Sequence, residues 1–368
     1  MLLLETDRDS FLKPLQAVTG IVERRHTLPI LSNVLIERVQ DRLTFIATDL
    51  ELQISTAAPC LDHAQDFSLT VSAKKLQDIC RALPEGSPLK LHGLDGRVQV
   101  KAGKSQFSLQ TLPAEDFPRL SPIAESGEVI RIPQKDFKDL IGLVQYAMAQ
   151  QDIRYYLNGL LLVMQDASLT LVATDGHRLS LASAPLPSGR PPQEVILPRK
   201  TVTELGKLLT DTEDDLILEI GQNQVKFTFG TISLVSKIVD GKFPDYTRVI
   251  PSGHTKSITL PRLALLHALQ RAAILSNEKF KGVRLVLTNN SLSIICNNNE
   301  QEEAQVELEV SYAGEALDIG FNVTYLLDVL ANLTCDEVTW EFGDANSSAV
   351  ATIPQNPDFK YVVMPMRI

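Results

Sequence analysis

The chain repeats itself, and that constrains its fold more than any single motif does. Leu31-Ser32-Asn33-Val34-Leu35 runs on to Leu43-Thr44-Phe45-Ile46-Ala47-Thr48-Asp49. Shifted by 126 positions, Leu157-Asn158-Gly159-Leu160-Leu161 runs on to Leu169-Thr170-Leu171-Val172-Ala173-Thr174-Asp175. The same shift carries Phe117-Pro118 onto Phe243-Pro244. A third, looser copy reads Gly282-Val283-Arg284-Leu285 and then Leu292-Ser293-Ile294-Ile295-Cys296-Asn297-Asn298. Three units of about 120 residues fill the chain, each within the ordinary size of a domain. Segments around 121–128 and 250–257, rich in Ser, Pro and Gly, read as linkers. The expected domains are therefore 1–122, 129–249 and 257–368.

Each unit divides again into two halves, a helix followed by strands. Phe11, Leu12, Leu15, Val18, Ile21 and Val22 share one helical face. Val34–Val39 and Leu43–Ala47 then read as a hairpin across Gln40-Asp41-Arg42. Pro14 falls in the first turn of this helix or bends it, depending on where the helix starts. The second half opens at Ser72, a candidate N-cap, and continues into strands at Leu89–Leu91, Val98–Lys101 and Phe107–Thr111. Further helices are expected at Pro133–Ala149, Pro198–Thr210, Pro261–Leu275 and Val323–Leu333, the three prolines occupying first-turn positions. Six helices segregated onto one face of antiparallel sheets define an α+β architecture.

Composition narrows the function. With 44% hydrophobic and 22% charged residues the chain is neither disordered nor fibrous. No apolar run reaches membrane-spanning length, and Met1-Leu2-Leu3-Leu4-Glu5 turns acidic too early for a signal peptide. Cys60, Cys80, Cys296 and Cys335 have no metal-ligand spacing and read as reduced thiols of a cytoplasmic protein. The net charge of −10 argues against a nucleic-acid coat. It hides an asymmetry, however. The six expected helices (the first two taken as 10–25 and 72–83) hold 13 Lys and Arg against 6 Asp and Glu. They are therefore basic and the rest of the chain strongly acidic. A basic face attracts phosphate without reading sequence. If two copies were to line a ring with their twelve helices, about 9 Å apart, the circle through the helix axes would be roughly 34 Å across. Subtracting a helix diameter of about 10 Å leaves a hole near 24 Å, slightly wider than a DNA duplex of ~20 Å.

The residues also resemble a known family, the bacterial sliding clamp or beta subunit of DNA polymerase III. The resemblance is carried by Thr27-Leu28-Pro29-Ile30-Leu31-Ser32-Asn33, Asp78-Ile79-Cys80-Arg81, Phe107-Ser108-Leu109 and Gln151-Asp152-Ile153-Arg154-Tyr155-Tyr156-Leu157-Asn158-Gly159. It continues through Ala173-Thr174-Asp175-Gly176-His177-Arg178-Leu179, Phe243-Pro244-Asp245-Tyr246, Ala272–Phe280 and Tyr361-Val362-Val363-Met364-Pro365-Met366-Arg367. Ile368 stands where the family ends in Leu, and the loops at 59–66, 185–193 and 344–358 follow no family pattern.

The resemblance implies three clamp domains and two chains closed head to tail into a homodimeric ring around duplex DNA. It implies a tether for the alpha subunit of the replicative polymerase, and other polymerases and repair proteins docking through short hydrophobic peptides. Their pocket, between domains two and three, takes Leu157, Thr174, Gly176, His177, Arg178, Leu179, Pro244, Arg248 and Val249. Asn322, Tyr325 and Ser348 belong to it, and Val362, Val363, Met364, Pro365, Met366 and Arg367 complete it. Its Leu, Val, Met and Pro suit apolar anchors, while Arg178, Arg248 and Arg367 offer donors to a peptide. By the same resemblance Phe107 and Leu109 of one subunit meet Ile274 and Leu275 of the other, although the latter two could equally be a helix's own core face. Arg25 and Gln151 match loop positions that touch DNA. Helix charge alone adds Lys74, Lys75, Arg81, Lys135, Lys138, Arg199, Lys200, Lys207 and Arg271 to the lining.

An enzyme is the main rival. Asp175, His177 and Ser180 lie close in sequence, but triads are assembled in space and no Gly-x-Ser-x-Gly surrounds the serine. The first copy, Asp49-Leu50-Glu51-Leu52, has neither His nor Ser. There is no P-loop, dinucleotide-binding glycine pattern or His-x-x-x-His spacing. The expectation is a protein without catalysis, cofactor or membrane contact, whose ring is opened by an ATP-dependent clamp loader. A clamp-like protein that binds peptides but no DNA is the third reading.

Overall fold

The computed structural model describes residues 1–23, 27–60, 65–123 and 129–368, without the side chains of 188–190. Among the described residues are six α-helices: α1 (Arg8–Thr19), α2 (Ala73–Ala82), α3 (Gln134–Val144), α4 (Arg199–Leu208), α5 (Arg262–Ala273) and α6 (Val323–Asn332). All six expected helices are present; each ends earlier than expected, and α1 begins two residues earlier, at Arg8. A strand runs directly into each helix, which the helix-first reading missed: Leu2–Asp7, Phe67–Ser72, Val129–Pro133, the end of Arg178–Pro198, Lys256–Pro261 and Leu317–Asn322. Pro133, Pro198 and Pro261 are thus the last residues of strands, just before the first helical turn they were expected to occupy.

Local chemistry sets these boundaries. The Asp7 carboxylate accepts from the backbone N–H groups of Asp9 and Ser10, capping α1. The Asn322 side chain accepts from Thr324 N–H and caps α6. Ser72 sits at the N-cap position of α2 but makes no capping hydrogen bond. Because α1 starts at Arg8, Pro14 lies inside it and withholds one backbone donor from its ladder. Arg8 Nε donates to Cys80 O at 2.9 Å, and Arg262 Nε donates to Cys335 O at 2.8 Å. In the first and third repeats, then, the first residue of one helix satisfies carbonyls at or just past the C-terminal end of its companion.

The chain divides into two compact units. The first comprises Met1–Lys135 and Thr203–Ile238. It holds a twelve-stranded sheet that includes the hairpin Asn33–Val39 and Arg42–Thr48, then Leu52–Pro59 paired antiparallel with Ile232–Lys237. On it α1 buries Phe11, Leu12, Leu15 and Val18, with the Phe11 and Phe45 rings edge to face at 5.1 Å. Truncating such a residue, as in Phe11→Ala, costs about 3–5 kcal/mol.

The second unit comprises Asp136–Val202 and Val239–Ile368. Its six-stranded sheet runs Gly159–Thr174, Arg178–Pro198, Asn356–Val363, Ala349–Ile353, Glu337–Phe342, Lys256–Pro261. A four-stranded sheet, Glu303–Glu309, Ser291–Asn297, Gly282–Thr288, Leu317–Asn322, packs against α5. All four cysteines are thiols; Cys60, Cys80 and Cys296 are buried and Cys335 half-buried. Burial pushes the Cys80 thiol up to about 12, far from a reactive thiolate.

Candidate functional site

The turn between strands Gly159–Thr174 and Arg178–Pro198 builds one wall of a groove in the second unit. Thr174 Oγ1 donates to Arg178 O at 2.6 Å and accepts from Gly176 N–H at 3.1 Å. Asp175 Oδ1 accepts from the N–H groups of His177 and Arg178 at 2.9 and 3.0 Å. These short polar side chains impose the turn through their own backbone. Gly176 adopts φ 87°, and a Cβ there would stand 2.9 Å from Arg154 Nη1. The C-terminal strand pairs alongside, with Leu179 opposite Val362 and Arg178 opposite Val363. Met364 N–H then donates to His177 O at 2.9 Å, and Met366 N–H to Gly320 O at 2.7 Å, so the chain end is stitched to the turn.

The resulting groove has a volume of about 230 Å³. Leu157, Leu179, Phe243 and Val362, all buried, form its floor over a larger apolar cluster. Val249 and Met364 are about half exposed at its rim. Pro244, Tyr246, Asp245, Arg154, Thr174, Gly176, His177, Arg178 and Ser348 complete the lining. Arg154 grips Asp152 through Nε and Nη2 at 3.0 and 2.8 Å, and Nη2 also donates to Asp175 O at 3.2 Å. That grip pulls the Asp152 carboxyl down to about 2. An apolar floor with a few polar groups at the edge suits a hydrophobic ligand of fixed orientation.

Eleven residues of the expected pocket line this groove. The other seven are placed around it. Tyr325 lies behind the turn, its ring 6.5 Å from that of His177 and 4.5 Å from the Arg178 guanidinium. Asn322 caps α6, Val363 is buried on the opposite face of its strand, and Pro365, Met366 and Arg367 follow the tail past Gly320. Arg248 is exposed and paired with Asp245 at 2.8 Å. Arg178 lines the groove but is 9% exposed, and each of its three nitrogens donates within the protein, to Asp175, Asp328 and Tyr146 O. Burial works against its charge, but Tyr361 and the carboxylates of Asp328 and Asp175 keep its titration above the ordinary guanidinium range. Arg154, Phe243, Asp245 and Tyr246 were missed, although all four lie in stretches that carry the resemblance.

Of the DNA-facing candidates, Arg25 lies outside the described residues. Gln151 is exposed at φ 56°. Lys74, Lys75, Arg81, Lys135 and Arg271 are exposed on their helices. Lys207 is exposed and paired with Glu204 at 2.7 Å; Lys138, Arg199 and Lys200 are half-buried. Arg199 donates to Met148 O and Ala149 O at 3.1 and 3.2 Å, a structural use of that side chain. Over their observed extents the six helices hold twelve Lys and Arg against six Asp and Glu, so the basic bias persists. Phe107 and Leu109 are half-buried in a strand that pairs with Phe67–Ser72 only at Leu112 and Thr111. Ile274 is 77% exposed at the end of α5, which removes the core-face reading for it, while Leu275 is half-buried. No group of His, Cys, Asp and Glu fit to hold a metal occurs among the described residues. No helix there is long and apolar enough to cross a membrane.

Three family models match in sequence: the N-terminal, central and C-terminal domains of the DNA polymerase III beta subunit, at residues 2–121, 131–245 and 247–367. The beta sliding clamp of Pseudomonas putida is 46% identical over 362 residues, covering 98% of each chain. That of Escherichia coli K12 is 44% identical, covering 98% of this chain and 99% of its own. The crystal structure of a DnaN sliding clamp from Pseudomonas aeruginosa bound to griselimycin superposes with a TM-score of 0.96 at 45% identity, covering both chains in full. The griselimycin-bound clamp of Bartonella birtlesii gives 0.94 at 36% identity, with 99% of each chain covered. The chain belongs to the DNA polymerase III beta subunit family, the bacterial beta sliding clamps.

Proposed function

We propose that the protein is a DNA sliding clamp, in which two copies close head to tail into a ring that encircles duplex DNA without reading its sequence. The ring tethers the replicative polymerase through its alpha subunit and so confers processivity. What carries this reading is the end-to-end correspondence with beta sliding clamps, including all three domains of the beta subunit. Domains at 1–122, 129–249 and 257–368 fit it. Phe107 and Leu109 would meet Ile274 and Leu275 of the second copy, and apolar residues are what a closed interface buries. The exposed helix lysines and arginines, with Gln151, would face the phosphates.

The groove beside the His177 turn would receive griselimycin and the apolar anchors of polymerase, clamp-loader and repair-protein peptides. Its floor of Leu157, Leu179, Phe243 and Val362 matches such anchors, and Met364 at the rim re-packs around different ones. The protein would act in the cytoplasm and catalyse nothing itself, an ATP-dependent loader opening the ring.

The experiment is retention on DNA. Loaded onto nicked circular DNA, the protein should stay bound in high salt, where phosphate contacts alone fail, and run off once the circle is cut. Ile274→Ala with Leu275→Ala should sediment as a monomer and be lost from circles as well. Equal loss of the wild-type protein from intact and cut circles would refute topological capture.

A further inference from the structure

Arg178 is a buried cation where the turn itself requires none. The corresponding residue of the first repeat is Leu52, 2% exposed, and the turn there is the same. Thr48 Oγ1 donates to Leu52 O at 3.0 Å and accepts from Leu50 N–H at 3.1 Å. Asp49 Oδ1 accepts from the N–H groups of Glu51 and Leu52 at 3.0 and 2.7 Å. The Thr-Asp pair therefore sets the conformation with an apolar residue in this place. A guanidinium taken out of water is costly unless it is paired and hydrogen-bonded, so its partners indicate its use.

Those partners lie on three segments. Nε donates to Asp175 Oδ2 at 3.1 Å, Nη1 to Asp328 Oδ2 at 2.6 Å and Nη2 to Tyr146 O at 2.7 Å. Asp328 and Tyr325 stand three residues apart on α6, hence on one helical face. The Arg178 guanidinium lies 4.5 Å from the centre of the Tyr325 ring, within cation–π distance. The His177 ring stacks on the same tyrosine with 19° between planes. An unbroken line of contacts thus runs from Asp328 through Arg178 and Tyr325 to His177, which lines the groove.

We infer that Asp328 is a positioning residue for ligand binding in the groove, acting through Arg178. The ion pair holds α6 and Tyr325 against the turn, and Tyr325 holds the His177 ring. A wall fixed before binding lowers the ordering cost of association. The inference rests on the groove being the site where ligands dock.

The test uses the full-length protein and griselimycin, titrated calorimetrically, with the His177 imidazole resonances as a second readout. Asp328→Ala should weaken binding about tenfold, the loss expected when a partly exposed ion pair is broken. It should also shift the His177 resonances in the free protein. Asp328→Glu, which can still reach Arg178, should restore most of the affinity. If the alanine variant loses its cooperative melting transition, Asp328→Asn, which keeps the shape without the charge, should show the same weakening and shift. Wild-type affinity in Asp328→Ala, beside lost binding in Leu179→Ala with Met364→Ala, would overturn the inference and leave the groove standing. Wild-type affinity in that double variant too would remove the groove assignment on which the inference rests. Equal weakening by Asp318→Ala, which breaks an exposed pair with Arg284 in the same unit, would reduce the effect to general destabilisation and overturn the positioning role.

Discussion

At 48–53 and again at 174–179 the chain makes one turn twice, and the second borders the groove described above. Both turns lead into a strand that pairs with a distant one, Leu52 opposite Ser236 and Arg178 opposite Val363. Both accept a backbone hydrogen bond from the residue after that partner: Lys237 N–H to Glu51 O at 2.8 Å, Met364 N–H to His177 O at 2.9 Å. The side chains on this shared frame diverge. In the first copy Lys237 Nζ meets Glu51 Oε1 at 3.0 Å, and Gln53 Oε1 accepts from Leu120 N–H at 2.9 Å. In the second, the same places hold Met364, His177 and Leu179. Polar groups that satisfy one another close the first turn, whereas Met364 and Leu179, without that option, leave a surface for a ligand to cover.

Removing the apolar pair should break the contrast most. Leu179→Ala with Met364→Ala takes away floor and rim together, and anchors of this kind dominate binding. Griselimycin and the polymerase alpha subunit should each bind about 100-fold more weakly or not at all, a loss of ~3 kcal/mol, while sedimentation still shows the dimer. The matched change in the first copy, Gln53→Ala with Lys237→Ala, should leave both affinities unchanged. If the two double variants weaken binding alike, the contrast between the turns is wrong.

A smaller effect should come from Gly176→Ala. Leu50 occupies the corresponding position at φ 76°, so a side chain is tolerated in that backbone conformation at a cost of about 1–2 kcal/mol. At Gly176 the new Cβ would also meet Arg154 Nη1, which must swing away from the groove edge. Griselimycin affinity should fall roughly fivefold, about 1 kcal/mol. Adding Arg154→Ala should recover part of that loss, because the clash goes while the backbone cost stays.

The contrast also marks where sequence reasoning reached and where it stopped. The repeat made the turn legible, because Thr-Asp carries its own hydrogen bonds and needs nothing distant. Six amphipathic segments were legible as helices for the same reason. The strands ahead of them were not: Val129–Pro133 and Lys256–Pro261 are short and run straight into a helix with no turn residue between, so no local signal separates the two. Pro14 left the start of α1 open between a first-turn and an interior position, and the Asp7 cap decides for the interior one. Within the groove, Leu179 and Met364 followed from the resemblance, but the inward course of Arg178 did not. Its partner Asp328 lies 150 residues away, and no spacing in the chain announces that pairing.

The smallest expected change sharpens the same point. Lys237 and Glu51 are paired near the surface, with side chains 43% and 68% exposed. Exposed pairs of this kind contribute about 0.2–1 kcal/mol, so Lys237→Met should lower the melting temperature by no more than a few degrees. It places at the first turn the residue type that stands at the rim of the groove. Even so, Gln53 continues to hold Leu120 N–H, and the floor that Leu179 supplies in the second copy is missing. Calorimetry should give one griselimycin per chain for wild type and variant alike. A second equivalent in Lys237→Met would mean that the salt bridge alone seals the first turn, and that the polar contact of Gln53 contributes nothing to closing it.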